Sequence, residues 1–336
     1  MSEGTLPDRL PLFLTDADVE ALADWPGAIE AIRSAYSGGA DDSRTPGRIF
    51  AQSEREWMRI MPSVPASGAL FGAKSIVGSF TDGLTVSYLI SLFDKQTADL
   101  VALIDGNRVT GLRTAATTAV GTTAITPRRP LRLGVVGTGF ESRSHLSALR
   151  HVLDVSSVAV FSPTQRNREA MAAEMTETLG TRVNAVTSAE AATDGADVIL
   201  CAARSRDETP TVRAEWIGSD AAVISIGSTT PAQRELPADL IARAGVIVVD
   251  TFDEVVHGSG DMIAAREAGV DVDSVVVTLN AVLTGAAPID VERGIRIYKS
   301  TGSGLQDIVV AELLVDRARQ LGRGTQLPVG IVTTRK

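Results

Sequence analysis

The chain has 336 residues, of which 44% are apolar and 22% charged, and its formal net charge is −9. This length and composition are typical of a globular protein with room for two domains and a substantial core. The negative charge argues against a general nucleic-acid binder or a protein of anionic membrane surfaces, because both depend on basic surface.

The cysteine and histidine content narrows the chemistry further. The one cysteine, Cys201, lies in the apolar run DVILCAA and is predicted to be a packed strand residue rather than a reactive thiol. With three histidines and no clustered Cys/His spacing, no metal site is expected. No signal-like segment opens the sequence, and no apolar run reaches the roughly 18 residues of a membrane span. We therefore expect a cytoplasmic protein without a membrane partner.

The N-terminal third predicts a domain of mixed helices and strands. A cap within residues 15–18 is expected to start one helix that reaches Trp25, and a second helix follows over 29–36. Residues 37–47 are predicted to be a loop. A mixed or antiparallel sheet is expected from the short β-like runs that follow at 48–50, 57–61, 70–77, 85–93 and 98–104.

A helix over 113–125 leads to a pair of prolines, Pro127 and Pro130, which we take as the domain boundary. Beyond it the sequence alternates between apolar runs and helical stretches, which predicts a doubly wound parallel sheet of the Rossmann type. The strands are expected at 131–136, 157–161, 183–186, 197–202, 222–226 and 246–249. After Val270 the pattern is less regular, and a last helix is predicted over 303–320.

The stretch 131–150 carries the strongest functional signal. An apolar strand runs into Gly137-Thr138-Gly139 and then into a helix that begins near Ser142. Gly137 permits the turn, Gly139 permits close approach of a pyrophosphate, and the small Ser142 lets the helix pack on the strand. Free N–H groups at the helix start would face the phosphates. The alternative is an ordinary glycine turn, but the strand and helix on either side favour a dinucleotide site.

Cofactor preference is indicated at the end of the second strand of that domain. An NAD site usually has an acidic residue there for the ribose hydroxyls. No acidic residue directly follows Phe161; instead Ser162, Thr164, Arg166 and Arg168 offer hydroxyls and guanidinium groups that suit a 2′-phosphate. We therefore prefer NADP(H) and keep NAD(H) open. The alternative is that the arginines only solvate the first turn of a helix.

Three cationic residues of the first domain lie among apolar or small neighbours: Arg48, Lys74 and Arg113. A lysine in a buried strand is costly without an anionic partner. Together the three would bind a substrate carboxylate. Two neighbouring cations would also lower the pKa of Lys74 and suit it to proton transfer. The alternatives are a surface lysine on an edge strand, a lysine that stays charged and only binds carboxylate, and solvated surface arginines.

Several motifs in the same order make the chain resemble the ornithine cyclodeaminase/mu-crystallin family over nearly its full length. They are MRIMPSVP at 58–65, GAKSIVG at 72–78, LIDGNRVTGLRTAATTA at 103–119, LGVVGTGFES at 133–142, PAQREL at 231–236 and IRIYKSTGSGLQDIVVA at 295–311.

The resemblance implies homodimers with two domains. A substrate-binding and dimerisation domain of α+β type would span 1–126 and be rejoined by 303–336, and an NAD(P)-binding Rossmann domain would span 127–302. By position, Lys74 and Arg113 match the family's carboxylate ligands, with Met61 and Arg48 beside them, although Arg44 competes with Arg48. Asp307 is expected to position the loop 300–302. With the glycine turn and the second strand, the expected cofactor-binding residues are Thr114, Gly137, Thr138, Gly139, Phe140, Glu141, Ser162, Thr164, Arg166, Gly227, Ser228, Ser300 and Gly302.

One departure from the family pattern bears on the reaction. The cyclodeaminases have an aspartate before the proline of the segment GSTTPAQRE, and the matching residue here is Thr229. A threonine hydroxyl forms hydrogen bonds but is a poor general base. The absence of that carboxylate therefore argues against deamination and cyclisation of ornithine. The alternative is that the segment GSTTPAQRE is only a polar turn.

The sequence therefore predicts an NAD(P)H-dependent reductase or dehydrogenase of the C=N or CH–NH bond of a small imino or amino acid, such as a cyclic ketimine. Lys74 and Thr229 are the candidates for the catalytic residues. The alternatives are an ornithine or lysine cyclodeaminase, in which the acid–base group lies elsewhere, and a non-catalytic protein that binds a ligand with NADPH.

Overall fold

The computed structural model describes residues 10–38, 42–203 and 208–334. The chain forms two compact units, one of residues 1–114 with 303–336 and the other of residues 115–302. The first boundary thus falls inside a long helix, whereas the prolines at 127 and 130 suggested a boundary after residue 126.

The first unit begins with these elements: β1 (Leu12–Leu14), α1 (Asp16–Leu22), α2 (Trp25–Ser37), β2 (Ile49–Gln52), β3 (Glu56–Ser63), β4 (Leu70–Ser79), β5 (Thr85–Asp94), β6 (Leu100–Asp105) and the start of α3 (Gly106–Ile125). The second unit contains the rest of α3 and then β7 (Leu131–Val136), α4 (Phe140–Leu149), β8 (Val155–Phe161), α5 (Gln165–Leu179), β9 (Val183–Ala185), α6 (Ala189–Thr193), β10 (Val198–Cys201), β11 (Ala222–Ser225), α7 (Ala238–Ala242), β12 (Ala244–Val249), α8 (Phe252–Val256), α9 (Gly260–Glu267), β13 (Val276–Thr278), α10 (Leu279–Leu283) and β14 (Ile295–Lys299). The first unit ends with α11 (Gly304–Leu321) and β15 (Thr325–Gln326).

The sheet of the first unit is mixed, as the sequence predicted. Its described strands follow the order β15-β1-β6-β5-β4-β3-β2. Pairing is antiparallel from β6 through β2, and β1 runs parallel to β6. Helix α11 packs against β3, β4 and β5. That packing brings the first turn of α11 to the middle of β4, where the candidate lysine lies.

Two local predictions in this unit were wrong. Trp25 does not end the first helix; it begins α2, because Asp24 caps that helix by accepting from the N–H of Gly27 and Pro26 follows in its first turn. Helix α3 begins at Gly106 rather than near residue 113, directly after β6, where the Asp105 carboxylate accepts from the N–H of Asn107.

The second unit is the predicted parallel sheet of the Rossmann type. Its described strands follow the order β13-β12-β14-β11-β10-β7-β8-β9, and the pairs are parallel. Its core consists of buried apolar side chains from β7, β10, β11, β12 and β14, with the helices packed on them. The predicted strands are all present within a few residues of the expected bounds.

Strand β14 is a strand that the sequence did not predict. It lies between β11 and β12 near the middle of the sheet. Its sequence, IRIYK, includes Arg296 and Lys299, and both are buried although charged. The two charges interrupt the apolar run, so hydrophobic periodicity alone does not identify this strand.

Candidate functional site

The turn between β7 and α4 has the geometry of a dinucleotide site. Gly137 has φ +113°, and a Cβ there would lie 2.6 Å from the Ala202 carbonyl oxygen, so only glycine fits. A Cβ on Gly139 would meet nothing within 4 Å, which leaves open space in front of the backbone. Gly139 caps α4 without a side-chain hydrogen bond, and Ser142 is fully buried against the strand. The free N–H groups at this helix start fit a pyrophosphate.

The end of β8 presents exposed polar groups and no carboxylate. Ser162 is mostly buried, whereas Thr164 and Arg166 are exposed at the start of α5. The Arg168 guanidinium donates to the Ser162 carbonyl at 3.1 Å, so it stabilises the turn. Of the two arginines, Arg166 is therefore the better candidate for a contact with a 2′-phosphate.

In the first unit, Lys74 and Arg113 converge on one carboxylate. Lys74 Nζ lies 2.8 Å from Asp307 Oδ1, and Arg113 Nε lies 2.9 Å from the same oxygen. Arg113 Nη1 also donates to Gln306 Oε1 at 2.8 Å. Lys74 and Asp307 are 0% exposed and Arg113 is 6% exposed. We call Lys74, Arg113 and Asp307 the Lys74 cluster. The sequence analysis named its two cations as candidates, and the structure places them side by side.

Burial and neighbouring charges act on the lysine of the Lys74 cluster. Burial, and secondly the charge of Arg113, lower the pKa of Lys74 to about 7 against the opposing effect of Asp307. Arg48 also lowers it, whereas Arg44 lowers the pKa of Lys95. Arg48 is therefore the arginine whose charge reaches the cluster. Asp307 Oδ2 is buried and has no hydrogen-bond partner among the described residues.

Three elements hold the cluster together. Lys74 lies in the middle of β4, opposite Met61 on β3, and Met61 is buried beside it. Arg113 comes from α3, and Asp307 from the first turn of α11. A Cβ on Gly304 would lie 2.5 Å from the Pro62 carbonyl oxygen, so this glycine lets the start of α11 approach β3.

The second unit contains another buried cluster, with one lysine and two carboxylates, which the sequence analysis did not predict. Lys299 Nζ lies 3.0 Å from Asp261 Oδ2 and donates to Ser225 Oγ and the Ser228 carbonyl, both at 2.8 Å. Ser225 Oγ donates to Glu235 Oε2 at 2.7 Å. Lys299, Asp261 and Glu235 are each 0% exposed, and we call them the Glu235 cluster. Burial raises the pKa of Glu235 to about 7, although Lys299 acts to lower it.

The segment 227–235 carries Thr229 and is closed by hydrogen bonds within itself. The Thr229 N–H donates to Gln233 Oε1 at 2.9 Å, and its hydroxyl donates to the same oxygen at 3.3 Å. The Ser228 hydroxyl donates to the Gln233 carbonyl, and the Gly227 N–H donates to Glu235 Oε2. This segment is an ordered loop at the carboxyl end of β11, where parallel sheets bind ligands.

The loop 300–302 is held by Asp250 and not, as expected, by Asp307. Asp250 accepts from the Ser300 hydroxyl at 2.7 Å and from the N–H groups of Thr301 and Gly302 at 3.1 and 2.8 Å. The sequence analysis missed Asp250, yet a signal existed, because it is a carboxylate directly after the apolar run of β12. Asp307 was assigned to the loop because of the family resemblance.

The remaining expected cofactor residues differ in exposure. Phe140 is 59% exposed, and Thr114 bonds the Thr110 carbonyl within α3. The carboxylate of Glu141 lies 3.7 Å from His145 Nδ1. Cys201 is buried and free, and burial raises its thiol pKa well above the usual range, so its prediction as a packed residue is confirmed.

Within residues 10–38, 42–203 and 208–334, no group of three or more His, Cys, Asp and Glu is arranged to hold a metal ion. No helix in the described part of the chain has both the length and the apolar character needed to cross a membrane.

Comparison with known proteins agrees with the motifs. The family model described as the ornithine cyclodeaminase/mu-crystallin family matches residues 11–322. Mouse ketimine reductase mu-crystallin is 28% identical over 323 residues, which cover 92% of this chain and 97% of the relative. Alanine dehydrogenase of Archaeoglobus fulgidus is 26% identical over 320 residues, covering 94% and 98%.

A solved structure is similar throughout the fold. Thermococcus litoralis Δ1-pyrroline-2-carboxylate reductase, in complex with NADH and L-proline, has a TM-score of 0.85 and 26% sequence identity. The match covers 94% of this chain and 100% of that one.

Proposed function

The chain belongs to the ornithine cyclodeaminase/mu-crystallin family, and on that premise we propose that it is an NAD(P)H-dependent reductase of the C=N bond beside a carboxylate. The substrate is a small imino acid, cyclic or linear, and the reverse reaction is the dehydrogenation of the CH–NH bond. Relatives named as ketimine, pyrroline-2-carboxylate and alanine oxidoreductases support this reaction class.

The observation that carries the proposal is the Lys74 cluster. Lys74 and Arg113 share a single carboxylate oxygen of Asp307, and the charge of Arg48 reaches the same place. Lys74 and Arg113 are two buried cations on one carboxylate oxygen, and such a group of cations is suited to bind a substrate carboxylate.

Lys74 is the proposed proton donor. A bound nicotinamide nucleotide would supply the hydride for the imine carbon, and the imine nitrogen would take up a proton. A lysine with a pKa of about 7 holds that proton at neutral pH and gives it up readily. In the reverse direction the neutral amine accepts it. Thr229, whose hydroxyl already donates to Gln233, serves as a hydrogen-bonding residue rather than a base.

The proposed nucleotide site is the turn at Gly137–Gly139, with Thr138 and the first turn of α4. We propose NADP(H) as the preferred nucleotide, because Arg166 is exposed after β8 and no acidic residue lies between Phe161 and Arg166. Backbone groups of residues 227–228 and 300–302 are the remaining proposed contacts, since the Ser228 and Ser300 hydroxyls donate to protein oxygens.

We also propose a homodimer formed through the sheet of the first unit. Strands β2 to β5 and the turn between β4 and β5 expose an unusual number of large apolar side chains. They are Ile49, Phe50, Met58, Val77, Phe80, Leu84 and Leu89. Light scattering on the purified protein should give twice the chain mass, and Phe50→Glu should shift it toward the monomer. A cytoplasmic location stays a prediction from the sequence.

The function is tested by mixing the purified protein with NADPH or NADH and a panel of cyclic and linear α-imino acids while following nicotinamide absorbance. We expect oxidation of the nucleotide with at least one imino acid. Ammonia release from ornithine or lysine with catalytic NAD+, and no imine reduction, would show a cyclodeaminase instead. Nucleotide and ligand binding without turnover of any compound would show a non-catalytic binding protein.

A further inference from the structure

The Glu235 cluster lies directly beneath the loop that bears Thr229. Glu235 Oε2 accepts from the Ser225 hydroxyl at 2.7 Å and from the Gly227 N–H at 2.8 Å. These two donors lie on either side of the point where β11 ends and the loop begins. A Cβ at position 227 would overlap Glu235 Oε1, so the carboxyl group is packed against the α-carbon of Gly227.

We propose that Glu235 is a positioning residue that anchors Gly227 at the start of the loop 227–234, and that its protonation state controls the affinity of this loop for an anionic nucleotide. This inference rests on the proposed function, because the loop is assigned there to the nucleotide and to Thr229. Glu235 acts through Gly227 and does not itself touch a substrate.

The charge balance of the cluster explains why the proton matters. Asp261 pairs with Lys299 and accepts from the N–H groups of Glu235 and Leu236. Glu235 is then a second carboxylate for one cation. Its Oε1 is buried without a hydrogen-bond partner in the described ranges, and an ionised carboxylate with a bare oxygen is costly in a protein interior.

The groups that face Glu235 come from four elements. Lys299 on β14 stabilises the ionised form, whereas Asp261 on α9 opposes it. Ser225 on β11 donates to it, and Cys201 on β10 is a neutral thiol close enough to be affected by its charge. The pKa of Glu235 at about 7 follows mainly from burial. Raising the pH through neutrality therefore places an extra negative charge beneath the loop, and this charge repels the phosphates of a nucleotide bound there.

The experiment uses the full-length protein and two substitutions. Glu235→Gln keeps the shape and an acceptor oxygen but cannot ionise, and Glu235→Ala removes the acceptor. Glu267→Gln, at an exposed position at the end of α9, is the matched control. NADPH and NADH affinities are measured by nicotinamide fluorescence from about pH 6 to about pH 8.5, and thermal melting is followed over the same range.

The wild-type affinity should fall as the pH rises through about 7, as should that of Glu267→Gln. Glu235→Gln should retain the low-pH affinity at every pH, whereas Glu235→Ala should bind about tenfold more weakly throughout. Ser225→Ala removes a donor that lowers the pKa of Glu235, so the midpoint should move to higher pH. Ser225→Ala also keeps the test open if Glu235→Ala does not fold.

A pH dependence in Glu235→Gln equal to that of the wild type would overturn the proposal, as would wild-type affinity in Glu235→Ala or an unmoved midpoint in Ser225→Ala. These readouts need no imino acid, so they stand if no substrate is reduced. If neither nucleotide binds to the wild type, the proposed function fails. The melting curves then still decide the inference, because the loss of stability as the pH rises from about 6 to about 7 must disappear in Glu235→Gln.

Discussion

The two units each bury a cluster of charged side chains, and the clusters differ in the sign of their imbalance. In the Lys74 cluster two cations share one oxygen of Asp307, with Arg48 nearby. In the Glu235 cluster one lysine is shared by two carboxylates. Two cations thus meet one carboxylate in the first cluster, and two carboxylates meet one cation in the second. Burial makes both imbalances costly, so each is relieved by a shift of proton affinity.

The pKa shifts of Lys74 and Glu235 have different consequences in the two units. Lys74 tends to lose its proton, and a substrate carboxylate would compensate its charge from outside. Glu235 tends to keep its proton, and nothing outside the unit is required. The first cluster is thus suited to binding and proton transfer, and the second to holding a loop in place.

The largest effect is expected from Lys74→Met. This variant keeps a long apolar stem but removes the proton donor and one carboxylate ligand, so imine reduction should fall about 100-fold or more. Nucleotide affinity should not change, because the glycine turn is untouched. Lys95→Met is the control: this lysine binds the carbonyls of Pro65, Ser67 and Gly68 and should leave turnover near that of the wild type. Full activity in Lys74→Met would remove Lys74 from the mechanism.

Asp307→Asn removes the carboxylate that Lys74 and Arg113 share. Leaving two buried cations without their carboxylate should cost about 3–5 kcal/mol of unfolding free energy, measured by denaturant titration. The pKa of Lys74 should fall further, since Asp307 raises it. Reduction needs protonated Lys74, so the pH at which activity declines should move to lower values.

The comparison for Asp307→Asn is Asp316→Asn, an exposed position on the same helix. It should leave both the unfolding free energy and the pH profile unchanged. An unshifted profile in Asp307→Asn would mean that Lys74 does not set the pH dependence.

The two clusters should also give opposite pH slopes of stability. The pKa of Glu235 is raised from 4.5 to about 7, so its contribution is present below pH 4.5 and is lost as the pH rises through about 7. The pKa of Lys74 is lowered from 10.5 to about 7, so its contribution is present above pH 10.5 and is lost as the pH falls through about 7. Each slope is at most about 1.4 kcal/mol per pH unit.

Melting curves of two variants separate these slopes. Glu235→Gln should flatten the curve of melting temperature between about pH 4.5 and 7, and Lys74→Met should flatten it between about pH 7 and 10.5. If one substitution flattened both ranges, the clusters would not be independent.

The smallest effect is expected from Arg166→Ala. Loss of one guanidinium from a 2′-phosphate site should weaken NADPH binding about tenfold and leave NADH binding unchanged. Arg182→Ala, another exposed arginine of the second unit, should change neither affinity. Equal weakening of both nucleotides by Arg166→Ala would contradict the proposed preference for NADP(H).

Much of the fold was predictable, because its signals are local. The three residues Gly137 to Gly139 predict a turn by themselves, and the parallel strands up to β12 are visible as apolar runs between helical stretches. Strand β14 escaped prediction because Arg296 and Lys299 interrupt its apolar run. Their burial makes sense only in the sheet, where Arg296 donates to the Ile125 carbonyl and Lys299 to Ser225.

The sequence by itself determined the glycine turn and the two cations Lys74 and Arg113, since each depends on residue type at a local spacing. The threonine at position 229 stood out only through the family resemblance. Only the tertiary structure decided which carboxylate meets which cation. Lys74 and Asp307 are 233 positions apart, and Ser300 is anchored by Asp250 from another strand. Buried ion pairs follow the packing of distant elements, because a charge in the interior pairs with whatever opposite charge the fold brings within reach.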